Sequence, residues 1–491
     1  MEFGSIIQFL ENKSVLVTGA TGFLAKIFVE KILRVQPKVK KIYLLLRAAD
    51  ANTAHERLQN EIIGKDLFRV LKEKYGTNLN SIIKDKIVPL AGDVCLPDLG
   101  LKDSNFREEM MSELDVVLNF AATTDFNERY DIALGANTIG AMHALSFSQR
   151  CAKVNLLVHV STAYVCGESS GFIRENSYRL GDTLNSASGL NIDEEKRIVE
   201  AKLNELRTGG ATKQEIEETM RDLGMKRAKV YGWPNTYVFT KAMGEMVIGH
   251  FKGKFPAVIV RPTMVTSTCK EPFPGWLEGV KTIDALTVGY GKGRITCFLA
   301  DETAVVDVIP ADIVVNAIIV AMVAHYNRPS HLIYHVGSSV RNPITYANLH
   351  DYGYQYFTKE PWIGKDGKPV KVRRVKVLNS MDSFHRYLAI RYLLLLKGLK
   401  LVTTFCQHFE GMYNDLNRKI NLVVGLVELY RPYLFFQGVF DDTNTENLRA
   451  AARKNLGVES DMFFFDPKYV NWDDYFLSAH GPGVVKYAFK R

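Results

Sequence analysis

Residues 14–25 read SVLVTGATGFLA. An apolar run at 14–19 ends in glycine, and from Phe23 onward apolar side chains recur at helical spacing through Leu24, Ile27, Phe28 and Ile32. A strand, a GxxGxxA turn and a helix in that order build a site for the pyrophosphate of a dinucleotide. Gly19 permits the tight turn, Gly22 lets the backbone approach the phosphates, and Ala25 lets the helix pack closely on the sheet. Thr21, Phe23 and Leu24 belong to the same turn and first helical residues. The anion then sits at the positive end of the helix.

Outward from this turn the chain repeats the pattern. Further apolar runs occupy 40–47 (KKIYLLLR), 86–94 (KIVPLAGDV), 115–122 (DVVLNFAA), 156–165 (LLVHVSTAYV) and 257–263 (AVIVRPT), with helical patterns between most of them. Uninterrupted Val/Ile/Leu strands alternating with helices describe an α/β protein, a doubly wound parallel sheet covered on both faces. Residues 168–230 break the rhythm with a charged helical stretch at 191–208 and a capping box, Thr212 to Glu215, opening a second helix expected to stop near Gly224. This reads as a helical insertion. After about residue 345 the composition shifts through a turn-rich stretch, 359–370, to a region dense in Leu, Phe and Tyr. The expected division is a catalytic domain over 1–350 and a second, mostly helical domain over 351–491.

The 491 residues allow two or three domains, and 47% hydrophobic with 24% charged residues is a globular composition. A net charge of +8 is mild for this length and suits an anionic ligand or membrane surface; no Lys/Arg block is dense enough for nucleic acid. Six cysteines, at 95, 151, 166, 269, 297 and 406, lack the CxxC or CxxH spacing of a zinc site and suggest a reducing compartment. The first residues enter a strand without the apolar region of a signal peptide or the Ser/Arg-rich composition of a transit peptide. No stretch offers 18 uncharged apolar residues; 387–406 is broken by Arg391, Lys397 and Lys400, and 422–440 by Glu428 and Arg431. These numbers argue against a membrane span and are compatible with peripheral attachment.

The second strand ends in Arg47, where an NAD enzyme would carry an acidic residue for the ribose 2′-hydroxyl. A guanidinium fork suits a 2′-phosphate, so NADPH is the expected cofactor, with Arg57 a second candidate ligand. Asp50 is a rival ribose ligand that also suits the start of the next helix. Asp93, with Val94 beside it, would face the adenine, and Asn119, Ala121 and Ala122 would line the cofactor's path. Tyr237 and Lys241 stand at i and i+4 on one helix face, with Ser161-Thr162 at a strand end upstream. An ammonium about 4 Å from a phenol is worth about 4 kcal/mol at an effective dielectric of 20, enough to bring a tyrosine near neutrality as a general acid. Lys241 would also hold the nicotinamide ribose, and Thr162, with Ser161 second to it, would steady a substrate carbonyl.

TGATGFLA, LLLRA, HVSTAYV, YVFTK, RPTMV and KEPFPGW, together with FFQGVFDDTNTENLR (435–449) and FFFDPKYVNWDDYF (463–476), resemble the alcohol-forming fatty acyl-CoA reductases of plants, which are extended short-chain dehydrogenases. The resemblance covers almost the whole chain. It implies a Rossmann-type fold, NADPH as reductant, long-chain fatty acyl-CoA as substrate and a primary alcohol as product, used for wax, cutin or suberin lipids. It also implies a location in the cytosol or on the cytosolic face of the endoplasmic reticulum, the plastid forms requiring a transit peptide. The acyl chain is expected near Phe273, Pro274, Gly275 and Trp276 and in the second domain. The alternative is a reductase or epimerase of a nucleotide sugar or another small carbonyl compound, since fold does not decide substrate.

Overall fold

The computed structural model describes residues 3–280, 282–295, 297–405 and 410–489. Seven parallel strands form the central sheet: β1 (Ser14–Thr18), β2 (Lys41–Leu46), β3 (Ile87–Ala91), β4 (Val116–Asn119), β5 (Leu157–Val160), β6 (Ala257–Pro262) and β7 (His331–Val336). Their order is β3-β2-β1-β4-β5-β6-β7. All five residues of β1 are buried, and its alternation sends Val15 and Val17 into one core and Leu16 into the other. That is the doubly wound parallel sheet expected from the apolar runs. β7, HLIYHV, was not among those runs; its two histidines interrupt the apolar signal, and its last four residues are buried and paired with β6.

Chain order reverses between β1 and β4, and ligands of open α/β sheets bind at such a point, outside the carboxyl ends of the strands. One face of the sheet is covered by the helices Phe23–Val35 and Ala311–His325, the other by Gly140–Arg150 and Thr236–Phe251.

The insertion folds as two helices, Ile192–Thr208 and Lys213–Val230. The capping box is present, with Glu215 N–H donating to Thr212 Oγ1 at 3.2 Å and Thr212 N–H to Glu215 Oε2 at 2.7 Å. The second helix does not stop at Gly224. It continues to Val230, because Gly224 serves close packing rather than termination: a Cβ there would lie 2.7 Å from Thr236 Oγ1 and 3.0 Å from Tyr130 Cβ. Glu195, fully buried, accepts from Tyr130 at 2.7 Å and pairs with Arg227, which anchors both insertion helices to the catalytic domain.

The C-terminal part is mostly helical and returns repeatedly to the first. Residues 438–440 pair with 171–173 of the insertion, 376–378 pair with 297–299, and Glu459 accepts from the backbone N–H of Ile6 at 2.8 Å. Residues 381–405 are helical and pack against the helix Glu410–Leu434. Together they leave Ile390, Leu394, Leu395, Leu401 and Leu422 at least 60% exposed. Cys406 lies outside the described residues. Among the described residues no helix is long and apolar enough to cross a membrane.

Candidate functional site

The glycine turn has the shape that its spacing implies. Gly19 has φ +64°, and a Cβ there would meet the backbone nitrogen of Ala121 at 2.6 Å. Gly22 precedes the helix Phe23–Val35 in an extended conformation, without a side-chain cap, and a Cβ on it would crowd Gly19 O at 3.0 Å. An exposed glycine and an uncapped helix start leave first-turn N–H groups for an anion. Ala25 is fully buried, and Phe23 stacks on Trp276 at 5.1 Å. Thr21 and Leu24 are half-buried beside it. These residues fit a dinucleotide pyrophosphate.

Arg47 is exposed just after β2. Arg57 reaches back to it, Nη1 donating to Arg47 O at 2.5 Å while Nε and Nη2 bind Glu61. Asp50 is spent as a helix cap, accepting from Thr53 N at 2.8 Å. Asp93 accepts from Cys95 N at 2.9 Å and so shapes its own turn, with Val94 buried next to it. Ala121 abuts Gly19, and Ala122 is exposed. Asn119 is 1% exposed at the end of β4.

Tyr237 and Lys241 sit in the first turns of the helix Thr236–Phe251, which Asn235 caps by accepting from Val238 N at 3.1 Å. The same Asn235 donates to the Tyr433 hydroxyl at 2.8 Å. Phe126 stacks on Tyr237 at 5.9 Å and on Tyr433 at 4.8 Å, and lies 5.3 Å from Tyr430. An aromatic wall from the C-terminal region therefore closes one side of the tyrosine. Thr162 stands at the end of β5, where Oγ1 caps the next turn by accepting from Tyr164 N at 3.3 Å. Ser161 Oγ is buried beside it without a hydrogen-bond partner, an orphaned group that suits a ligand's polar atom.

The electrostatics overturn one expectation. Burial pushes Tyr237 up to about 12, with the Thr162 hydroxyl pulling the other way. Lys241 is pushed down to about 8 by burial, opposed by the charge of Glu245. Lysine therefore does not bring the phenol near neutrality. Desolvation disfavours the charged form of each. Lys241 Nζ is also turned toward Val160 O at 2.7 Å and His159 Nε2 at 3.3 Å. Burial thus favours the protonated phenol of Tyr237 and lowers the proton affinity of Lys241.

The spacing of motifs did not assign His159 a role. It is fully buried, and its Nδ1 lies 3.0 Å from Asn119 Nδ2. Asn119 Oδ1 accepts from Thr18 Oγ1 at 2.6 Å, and Thr18 Oγ1 accepts from Ala121 N at 3.2 Å. The one signal that could have found it is period two along β5: His159 is a polar residue inside an apolar strand, two before Ser161.

A nucleotide-binding family model described as "Male sterility protein" matches residues 17–318, and a second model of that description matches 391–491. The chain is 55% identical over 489 residues to the "Alcohol-forming fatty acyl-CoA reductase" of Simmondsia chinensis, covering 99% of each. It is 50% identical over 488 residues to "Fatty acyl-CoA reductase 1" of Arabidopsis thaliana, again covering 99% of each. Among solved structures, the terminal R domain of the myxalamid pathway superposes with a TM-score of 0.56 at 18% identity, covering 98% of this chain and 92% of that one.

Proposed function

The chain belongs to the fatty acyl-CoA reductase family, and from that premise we propose that it reduces long-chain fatty acyl-CoA to a primary alcohol with NADPH. The observation that carries the reading is the Thr162 hydroxyl meeting Tyr237, with Lys241 one turn further along the same helix, inside a chain alike to these reductases along its whole length. The sugar-epimerase alternative is not favoured, because the full-length relatives named above are acyl-CoA reductases.

When bound, a reduced nicotinamide cofactor would supply one hydride, so each of the two reductions would consume one molecule of it. Thr162 and Tyr237 then hold the oxygen of the carbonyl as charge develops on it. Tyr237, still protonated at neutral pH, donates its proton to that oxygen. Collapse of the first product expels the thiol and leaves an aldehyde, which meets the same two hydroxyls. Lys241 returns a proton to Tyr237. Preference for NADPH rests on Arg47, exposed at the end of β2, and on Asp50 being occupied as a cap.

The acyl chain is assigned to an apolar pocket between the helices Thr282–Gly291 and Tyr346–Lys359, lined by Leu286, Tyr290, Phe298, Leu349 and Gly353. Tyr346 joins it to the catalytic tyrosine: it lines the pocket and donates to Tyr433 O at 2.9 Å, and Tyr433 stacks on Phe126. Phe273 and Trp276 play another part, since both are buried and packed on Arg69 and Phe23. The two-domain division at about 350 is kept as part of this reading, with the second domain supplying the pocket wall. Peripheral attachment to an anionic membrane face is assigned to the exposed leucines of 390–401, which alternate with Arg391, Lys397 and Lys400.

The test is NADPH oxidation with saturated C16 and C18 acyl-CoA, with lipid products resolved, for wild type and Tyr237→Phe. Alcohol from the wild type and a loss of about 10²–10⁴-fold in the variant support the reading. A folded wild type that consumes no NADPH refutes it. In vesicle flotation, Leu394→Glu with Leu395→Glu is expected to release the protein from anionic vesicles without loss of turnover on a soluble short-chain aldehyde.

A further inference from the structure

A polar ladder crosses the buried carboxyl ends of three adjacent strands. It runs from Thr18 of β1 through Asn119 of β4 to His159 of β5, and ends on Lys241 of the catalytic helix. Every side chain in it is at most 1% exposed. An ammonium has three donors and no acceptor, whereas an imidazole and an amide each carry both.

The ladder therefore satisfies Lys241 in either charge state. With the ammonium, Lys241 donates to His159 Nε2, His159 Nδ1–H donates to Asn119 Oδ1, and Asn119 Nδ2 donates to Thr18 Oγ1. The neutral amine keeps two N–H donors, so Val160 O and the same His159 Nε2 still accept from it, and no tautomer need change. An apolar residue at either position would leave a buried donor unmatched.

We propose that His159, oriented by Asn119, is a positioning residue that lets Lys241 lose and regain a proton in every reduction. This rests on the reductase reading above. Each carbonyl reduced takes one proton from the Tyr237 O–H, leaving a phenolate. A Lys241 N–H bond breaks and the Tyr237 O–H bond re-forms, leaving a neutral amine. Solvent water restores the lysine proton once product leaves, so the cycle closes at two protons per acyl chain. The other charged groups that face Lys241 are few. On its own helix Tyr237 stands one turn before it and Glu245 one turn after; Arg261 of β6 neutralises Glu245, holding it with Nε at 3.0 Å. Asn137 and Thr138, from the neighbouring helical segment, meet the helix through Thr240 and carry no charge.

The experiment is the pH profile of kcat for a long-chain aldehyde, which needs one reduction and no thioester chemistry, in wild type, His159→Leu, His159→Gln and Asn119→Asp. Loss of the imidazole acceptor destabilises the ammonium, so His159→Leu is expected to move the alkaline limb down by about one pH unit or more with KM unchanged. His159→Gln, whose amide can face either way, is expected to restore it. Asn119→Asp accepts only, favours the ammonium, and is expected to move the limb up. The same order should appear without turnover in the titration of the Lys241 Cε resonance of [13C]lysine-labelled protein, assigned by its loss in Lys241→Arg. If His159→Leu does not fold, Asn119→Asp decides the matter alone. A limb and a resonance unmoved in these variants overturn the ladder while leaving the reductase reading intact; a wild type inactive on acyl-CoA and aldehyde alike overturns the reading itself.

Discussion

The helix behind the glycine turn and the helix that carries Tyr237 each bury a lysine almost completely, Lys31 at 2% and Lys241 at 1% exposure. Their surroundings differ. Lys31 meets the Glu271 carboxylate, which Arg34 also binds at 2.7 Å, and so ties its helix to the KEPFPGW segment. Lys26 does the same with Glu278. Lys241 has a neutral imidazole and a carbonyl for partners. Burial lowers both lysines, but at Lys31 a carboxylate opposes it directly, and at Lys241 the opposing Glu245 is already held by Arg261. One region uses a buried cation as a strut. The other surrounds one with uncharged partners.

The largest expected effect separates the two at once. Lys241→Met should cost alcohol formation about 10²-fold or more, whereas Lys31→Met should leave kcat within a few-fold; equal losses would erase the distinction. Next in size is the pH dependence of the wild type. A reaction that needs the Lys241 proton should slow about tenfold per pH unit above about 8, and a profile flat to pH 10 would break the assignment.

Stability should move in opposite directions. Lys31→Met strands Glu271 on Arg34 alone and should destabilise by about 1–3 kcal/mol in denaturant titrations. Lys241→Met removes a buried charge without orphaning a carboxylate and should stabilise at neutral pH by about 1–3 kcal/mol. The sign follows from the folded value of about 8 lying below the unfolded 10.5. Between those values the unfolded chain binds more protons, so wild-type stability rises with pH across that window, and the variant should lack the rise. The smallest effects concern packing. Gly224→Ala should cost about 1–3 kcal/mol through its contacts with Thr236 and Tyr130. Gly353→Phe should shift turnover toward shorter acyl-CoA with little change in stability, by filling the pocket of Leu349 and Tyr290.

The parts legible from sequence share a local cause. The turn at Gly19 and Gly22, the cap at Thr212 and the first six strands depend on residues a few positions apart, where backbone sterics, capping and period decide conformation. Tyr237 and Lys241 were likewise legible, being one helical turn apart. β7 escaped because His331 and His335 dilute its apolar signal, and Gly224 misled because a helical glycine can mark an end or a close contact. The direction of the lysine and tyrosine shifts also escaped, since spacing reports charge separation and says nothing of burial.

The sequence by itself determined the doubly wound sheet, the glycine turn and the family, because each is written in neighbouring residues or in a long shared pattern. Only the tertiary structure decided that Asn119 is buried between Thr18 and His159, that His159 meets Lys241, and that Phe126, with Tyr430 and Tyr433 against it, stacks on Tyr237. Those partners lie between 40 and 307 positions apart. Contacts of that separation are chosen by how strands order and helices pack, and the proton affinity of a buried group follows from them.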